Sequence, residues 1–187
     1  MLPQISDIKK YAFSEHDHLL LDANIWMSIY GPIANKDWRT SVYSAALKEM
    51  RKNNCVIFID VLILSEFINA FSHVEFNQLN PIIKPQKFKD FRNSAQFKPY
   101  AQEISINARK IIKICRRCDS VFESVNIPSL LAQYEEGDSD FNDQVLVEIC
   151  KSKDLTLITH DADFKAVDIN ILTANKKLLK NAEDDSF

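Results

Sequence analysis

Short apolar runs alternate with helical patterns along this chain. Residues 19–21 form one apolar run that ends at Asp22, and residues 55–59 form a second run that leads directly into a helical stretch. Continuous apolar runs of this length, bounded by polar residues, are typical of strands that are buried on both faces of a parallel sheet. The alternation predicts an α/β domain with a mostly parallel sheet and helices on both faces.

The rest of the chain continues this alternation. Residues 37–52 and 142–153 carry apolar side chains at helical spacing, whereas residues 155–159 and 169–172 have the pattern of strands. A chain of 187 residues is long enough to bury one substantial core. We therefore predict a single domain over residues 1–187.

The scarcity of glycine and the shortness of the apolar stretches exclude several classes of protein. Only Gly31 and Gly137 occur, so neither a GxGxxG motif nor a P-loop can be written. The longest apolar stretch, at residues 56–64, is interrupted by Asp60 and is shorter than the roughly 20 residues that span a bilayer. The first residues have no apolar core of the kind found in signal peptides. We therefore expect a cytoplasmic protein.

The middle of the chain is strongly basic. Between residues 84 and 117 there are ten basic residues and two acidic ones, although the whole chain has a net charge of −3. Aromatic residues interleave with the basic ones, a composition that suits single-stranded nucleic acid. The alternative is a solvated helical face with its aromatic residues in a core. The aromatic residues are Phe88, Phe91, Phe97 and Tyr100, and the candidate RNA-binding residues are Lys110, Lys113, Arg116 and Arg117.

Cys115 and Cys118 are the only cysteines with the spacing of metal ligands. They lie in a run at residues 104–122 that the pattern predicts to be helical. Because a structural zinc site usually needs four ligands, we favour buried thiols near a helix end over a metal or redox site.

Carboxylates recur where the predicted strands end. Asp22 and Asp161 each follow a strand, Glu66 lies about two turns into the helix after the second strand, and Asp140 and Asp143 lie near a helix start. Ligands of open parallel sheets bind at the edge formed by the carboxyl ends of the strands. Five carboxylates gathered there would repel one another without cations. An oxygen-only ligand set favours Mg²⁺ or Mn²⁺ over zinc.

Each of these acids also has a purely structural interpretation. Asp22 or Asp140 would serve as a helix N-cap, and Asp161 or Asp163 as a turn former. Taken together, four acids at equivalent ends of the sheet favour the metal-binding interpretation.

The segments LLLDANIW, LILSEFINAF, DFNDQVLVEIC and LTLITHDADF, in this order, resemble the four acidic motifs of the PIN-domain ribonucleases, which include the VapC-type toxins. The resemblance implies a three-layer PIN-like domain with a central, mostly parallel sheet flanked by helices, plus a helical insertion. That insertion would be the variable basic segment at about residues 73–125, which is longer than in the small toxins.

Carried over by motif position, the resemblance makes Asp22, Glu66, Asp143 and Asp161 the catalytic, metal-binding acids. Asn24 and Thr159 match the polar residues that support the first and the fourth acid. Asp140 and Asp163 lie beside motif positions and are further candidate ligands, and the choice between Asp140 and Asp143 as the direct ligand stays open. His160 lies beside the site in sequence, where a structural role is the more common one.

The resemblance implies an endoribonuclease that uses Mg²⁺ or Mn²⁺ to hydrolyse RNA phosphodiester bonds and leaves a 5′-phosphate. For a toxin it also implies an antitoxin partner and a homodimer, while a stand-alone processing or decay nuclease fits the same residues. The alternative from another class is a non-catalytic PIN-like scaffold that binds RNA or protein. Loss of one or more acids would mark such a scaffold, and none of the four is lost.

Overall fold

The computed structural model describes residues 4–34, 37–137 and 140–184, and the strands in these ranges form one sheet. Their spatial order is β1-β6-β5-β2-β3-β4, and every pairing between neighbours is parallel. The prediction of a mostly parallel sheet is therefore confirmed. The strands are β1 (Ile5–Asp7), β2 (His18–Leu21), β3 (Val56–Ile59), β4 (Arg116–Arg117), β5 (Thr156–Ile158) and β6 (Ile171–Thr173).

Eight α-helices in the described ranges flank this sheet and supply most of its connections. The chain passes from β2 to β3 through α1 and α2, from β3 to β4 through α3, α4 and α5, and from β4 to β5 through α6 and α7. Parallel neighbours need such crossovers because a tight turn cannot join them. The helices are α1 (Ala23–Tyr30), α2 (Trp38–Lys52), α3 (Val61–Gln78), α4 (Phe88–Arg92), α5 (Lys98–Ile114), α6 (Ile127–Glu136), α7 (Phe141–Lys153) and α8 (Lys176–Asp184).

The two central strands, β2 and β5, define a switch in the direction of the chain. From β2 the chain moves outward to β3 on one side, whereas from β5 it moves to β6 on the other side. A crevice opens at such a point because the two connections leave in opposite directions, and ligands of open α/β sheets bind there. The ends of β2 and β5 thus mark the expected place of a site.

The central strands form the middle of the core. Leu19, Leu20 and Leu21 in β2 have no exposed surface, and neither have Leu157 and Ile158 in β5. Strands covered on both faces cannot alternate polar and apolar side chains, which is why these runs are continuously apolar.

Acidic residues begin the helices that leave the sheet or return to it. The carboxylate of Asp37 accepts a hydrogen bond from the backbone N–H of Arg39, and Asp60 does the same for Leu62 at the start of α3. Asp140 accepts from Asn142 at the start of α7. These bonds satisfy backbone donors that the first turn of a helix leaves free.

The structure corrects the predicted helix at residues 104–122. Helix α5 ends at Ile114, and Arg116 and Arg117 form the edge strand β4, which pairs with Phe58 and Ile59 of β3. A strand of two exposed residues has no apolar alternation, so its sequence pattern could not reveal it. Strand β1 also escaped prediction, because its three residues are half-buried and form only one edge of the sheet.

The aromatic residues of the basic segment form a second, smaller core. Phe91 has no exposed surface, and its ring lies 5.2 Å from that of Phe97 and 5.5 Å from those of Phe76 and Tyr100, measured between centroids. The ring of Phe88 stacks on His73 at 3.8 Å. Phe91 is therefore enclosed and not free to stack on RNA bases, and the packing of the other rings agrees with the alternative in which these aromatic residues belong to a core.

No helix in the described part of the chain is both long enough and apolar enough to cross a membrane.

Candidate active site

Asp22 lies at the switch point, directly after β2. Only 5% of its surface is exposed, and its Oδ2 accepts hydrogen bonds from Thr159 Oγ1 at 2.7 Å and from Asn24 Nδ2 at 2.5 Å. Although Asp22 occupies the N-cap position of α1, its side chain makes no capping hydrogen bond. Burial raises the pKa of Asp22, the hydrogen bond from Thr159 opposes that rise, and the charge of Asp161 adds to it.

A polar network joins the ends of the two central strands. Asn24 Nδ2 also donates to Thr159 Oγ1 at 3.1 Å, and Asn24 Oδ1 accepts from the backbone N–H of His160 at 3.1 Å. Thr159 Oγ1 in turn accepts from the backbone N–H of Asp161 at 3.0 Å. The structure thus brings Asn24 and Thr159 into direct contact with Asp22, and the network holds the carboxylate of Asp22 in one orientation.

Glu66 reaches the same region from α3. Partial burial raises the pKa of Glu66, and the charges of Asp22, Asp140 and Asp161 raise it further. Charges act on one another in this way only across short distances in a partly dry environment. The second acid thus lies close to both central strand ends.

Asp140 and Asp143 occupy different positions at the start of α7. Asp140 is the N-cap and precedes the helix, so the two residues do not form the helical pair that a start at Asp140 would give. Asp143 lies in the first turn, where burial raises its pKa to about 7, helped by the charges of Asp22, Asp161, Asp140 and Glu66. Asp143 therefore experiences the combined field of these four acids.

Asp161 and Asp163 follow β5 and are exposed. Asp161 Oδ1 accepts a hydrogen bond from the backbone N–H of Asp163 at 3.0 Å, which begins a short 3₁₀ helix at Ala162–Ala166. Asp163 lines a cleft of about 290 Å³ together with Asp143. Asp161 therefore has the structural role of a turn former. Its charge also raises the pKa values of Asp22, Glu66 and Asp143.

The donor set suits a hard divalent cation. The side chains that act on one another here are carboxylates, and Mg²⁺ and Mn²⁺ prefer oxygen ligands. In the ranges that the structure describes, no three Asp, Glu, His or Cys side chains stand close enough to hold one ion as they are. The acids are thus near enough for their charges to add to the rise that burial causes in the pKa values of Asp22, Glu66 and Asp143, without being gathered at ligand distance.

His160 has structural contacts on several sides. Its Nδ1 lies 2.6 Å from the hydroxyl of Tyr43, and its carbonyl oxygen accepts a hydrogen bond from Asn175 Nδ2 at 2.7 Å. Its ring meets that of Trp38 edge to face, with 5.6 Å between centroids. Tyr43 and Asn175 were missed in the sequence because neither lies near an acidic motif, and only folding brings them beside β5.

Arg39 is a basic residue near the acids that the sequence pattern did not single out. It lines a cleft of about 240 Å³ with Asn24 and Glu66, and its guanidinium is paired with Asp37. The one available signal is its position two residues after the N-cap Asp37, which is common in helices and carries no functional information.

The candidate RNA-binding residues lie at the end of α5 and on β4. All four are exposed. Lys110 Nζ donates to Asn107 Oδ1 at 3.0 Å, and Arg116 lies 5.8 Å from the ring centroid of Phe58. The pairing of β4 with the last residues of β3 places Arg116 and Arg117 toward the carboxyl edge of the sheet.

Cys115 and Cys118 flank β4 as free thiols and lie outside the helix. Burial raises the pKa of Cys115 to about 12, which is the opposite of what a reactive or metal-binding thiol requires. The prediction of buried thiols near a helix end is correct for their place in the chain, but both thiols are only partly buried.

Comparison with known proteins gives one match to a family. The model of the PIN domain family matches residues 19–170, a range that contains all the candidate acids. No curated protein matches the chain. A solved structure described as the crystal structure of PAE2754 from Pyrobaculum aerophilum is 15% identical, covers 97% of this chain and 99% of its own, and superposes with a TM-score of 0.47.

Proposed function

Because this chain belongs to the PIN domain family, whose members are generally nucleases, we propose that it is a divalent-metal-dependent endoribonuclease that hydrolyses RNA phosphodiester bonds. The observation that carries the proposal is the set of carboxylates at the switch point. Asp22, Glu66, Asp143 and Asp161 come from four separate stretches of the chain. Burial raises the pKa values of Asp22, Glu66 and Asp143, and the charge of Asp161 adds to each of these rises.

In this proposal Asp22, Glu66, Asp143 and Asp161 hold Mg²⁺ or Mn²⁺, and Asp140 and Asp163 are further ligands or hydrogen-bonding neighbours. A bound divalent ion supplies positive charge for the phosphate oxygens and lowers the pKa of a water molecule to make it a nucleophile. The raised pKa of Asp143 favours it over Asp140 as the direct ligand, because the charges of Asp22, Glu66, Asp140 and Asp161 all act on it. Asp140 already caps α7.

The protein's own residues fix the carboxylates and bind the substrate. Thr159 and Asn24 hold Asp22 by hydrogen bonds to the same oxygen, Oδ2, which fixes the orientation of its carboxylate. Lys110, Lys113, Arg116 and Arg117 are exposed near the end of α5 and would neutralise backbone phosphates of RNA.

The biological role that we propose is that of a cytoplasmic toxin with a small antitoxin partner, acting as a homodimer. Support for it comes from the resemblance of the four acidic segments, in their order, to the motifs of a family that includes the VapC-type toxins. Co-expression with the product of a neighbouring reading frame should relieve growth arrest if the role is correct. Growth unaffected by the active nuclease would point to a processing or decay enzyme.

The deciding experiment is cleavage of labelled single-stranded RNA and of tRNA with Mn²⁺, with Mg²⁺ and with EDTA. We expect metal-dependent cutting, and we expect Asp22→Asn to lower the rate at least about a hundredfold, because the substitution removes a metal-binding charge but preserves the shape of the side chain. Asp90→Asn is the matched control, since Asp90 is exposed on α4 outside the site. Absence of cutting and of metal binding by calorimetry would favour the non-catalytic scaffold.

A further inference from the structure

A second cleft opens beside the ends of β3 and β4. Its volume is about 570 Å³, and it is lined by Asp60 and Val61 after β3, by Ile112 of α5, and by Arg117 and Asp119 at the end of β4. Clefts of this size hold small organic ligands and bases. None of the four acids assigned to the metal lines it.

The floor of this cleft contains an unusual carboxylate. Asp60 is 1% exposed, and its Oδ1 accepts a hydrogen bond from the backbone N–H of Leu62 at 2.8 Å. Its Oδ2 is buried and has no hydrogen-bond partner in the described part of the chain. Buried acceptors are nearly always paired in native proteins, so an unpaired one calls for a ligand or a water molecule.

Two apolar side chains line the same cleft and are open to solvent. Val61 is 65% exposed and Ile112 is 38% exposed. A flat ring placed over them would remove apolar surface from water while one edge of the ring faced Asp60. An apolar wall combined with one unpaired polar atom is typical of a site that binds and orients a small heterocycle.

The position of the cleft relates it to the acidic site. In the register of the sheet Leu20 is opposite Phe58, and two further residues bring Asp22 opposite Asp60. Neighbouring strands lie about 4.8 Å apart, and β4 lies one further spacing beyond β3. Arg117 at the end of β4 is exposed and positively charged. An RNA strand held at Asp22 therefore passes this cleft within one or two nucleotides.

We propose that this cleft is a base-binding subsite that selects a nucleotide next to the cleaved bond. The base packs on Val61 and Ile112, its exocyclic amino group donates a hydrogen bond to Asp60 Oδ2, and Arg117 contacts a neighbouring phosphate. Bases with an amino group are preferred over uracil, whose ring N–H is flanked by two carbonyl oxygens that the carboxylate repels. This inference rests on the proposed function and deepens it, because it names a feature of the RNA substrate.

Cytidine and uridine monophosphate provide a matched pair of probes. They differ only at C4, which carries an amino group or a carbonyl oxygen, and at the adjacent N3, which carries a proton only in uracil. The experiment titrates each into the ¹⁵N-labelled protein in EDTA and follows the amide signals of Val61, Cys118 and Asp119. We expect cytidine monophosphate to bind at least about tenfold more tightly, the effect of one hydrogen bond to a buried charge.

Asp60→Asn tests the direction of that hydrogen bond. Asparagine caps helices as well as aspartate does, so its oxygen continues to accept from Leu62 while its NH₂ group replaces Oδ2 in the cleft. An acceptor thereby becomes a donor, and the preference should reverse toward uridine monophosphate. Asp90→Asn, which removes the same charge elsewhere, should keep the preference for cytidine monophosphate.

Equal affinity of the unmodified protein for the two nucleotides would overturn the inference, even if Asp60→Asn failed to fold. Absence of amide shifts at the cleft, with Asp60→Asn more stable than the unmodified protein, would assign Oδ2 to an internal water molecule and would also overturn it. Selective binding without any RNA cleavage would keep the subsite and refute the nuclease. RNA cleavage without any preference between the two nucleotides would support the nuclease and refute the base-binding subsite.

Discussion

Replacing Asp143 with asparagine should stabilise the metal-free protein at neutral and alkaline pH. Burial and four surrounding carboxylates raise the pKa of Asp143 from 3.8 to about 7. In the unfolded chain the same carboxyl ionises near its ordinary pKa, so folding disfavours the charged form. The resulting cost is absent below about pH 4, grows as the pH rises toward 7, and is complete above it.

The size of the effect follows from that pKa. A carboxyl moved from 3.8 to about 7 corresponds to about 4 kcal/mol in the charged form if nothing reduces it. Because Asp143 is only partly buried, solvent screening lowers the expected gain from Asp143→Asn to about 1–2 kcal/mol. For a chain of this size, that gain corresponds to a rise in Tm of about 2–8 °C.

The assay is thermal or urea unfolding in EDTA at pH 5 and pH 8.5, with Asp90→Asn as the control for removal of a distant charge. We expect the stabilisation by Asp143→Asn at pH 5 to be about 40% of that at pH 8.5, because pH 5 lies that far between the two pKa values of 3.8 and about 7. A gain that did not depend on pH, or a loss of stability at pH 8.5, would refute the argument that repulsion between carboxylates destabilises this site. Added Mn²⁺ should stabilise the unmodified protein more than the variant.

The other predictions concern the network around Asp22 and the basic surface. Thr159→Val preserves the shape of the side chain but removes its hydroxyl, which donates to Asp22 and accepts from Asn24 and from the N–H of Asp161. We expect the free energy of unfolding to fall by about 1–3 kcal/mol. We also expect the affinity for Mn²⁺ to fall about tenfold to hundredfold, as it does when groups that orient metal ligands are removed. Calorimetry checks both, and unchanged metal affinity would limit Thr159 to a structural role. Replacing Lys110, Lys113, Arg116 and Arg117 together by glutamine should weaken RNA binding and lower its salt dependence by up to about 3 in log–log slope, because each phosphate contact on a single strand contributes about 0.7. The titration is made in the Asp22→Asn background, so that the RNA is not cut. If the fourfold variant had the same salt dependence as the parent protein, these four residues would form only a solvated face.

The sequence alone predicts those strands and helices whose packing requires a regular pattern of apolar residues. The apolar runs of β2 and β3 are uninterrupted because both faces of these strands are covered, and that requirement is visible residue by residue. The helical spacing in α2 and α7 is equally local. The order of the acidic motifs likewise indicated a PIN domain before any coordinates, and the family match at residues 19–170 agrees.

Features that depend on contacts between distant segments of the chain could not be predicted from the sequence pattern. Strand β4 exists because Arg116 and Arg117 pair with the end of β3, and its own residues have no strand pattern. The aromatic residues of the basic segment have the same spacing whether they stack on RNA or pack on Phe76, and only the fold shows that Phe91 is enclosed.

The acids themselves, and the strands that Asp22 and Asp161 follow, are visible in the sequence, because residue type and apolar period are local properties. The tertiary structure decided how they interact, since Asp22 and Thr159 are 137 positions apart and meet only when β2 and β5 pair. It also decided that Asp143 experiences four other charges and that Asp60 keeps one unpaired oxygen. A pKa and an unsatisfied hydrogen bond are properties of a three-dimensional environment, and no pattern along a chain records them.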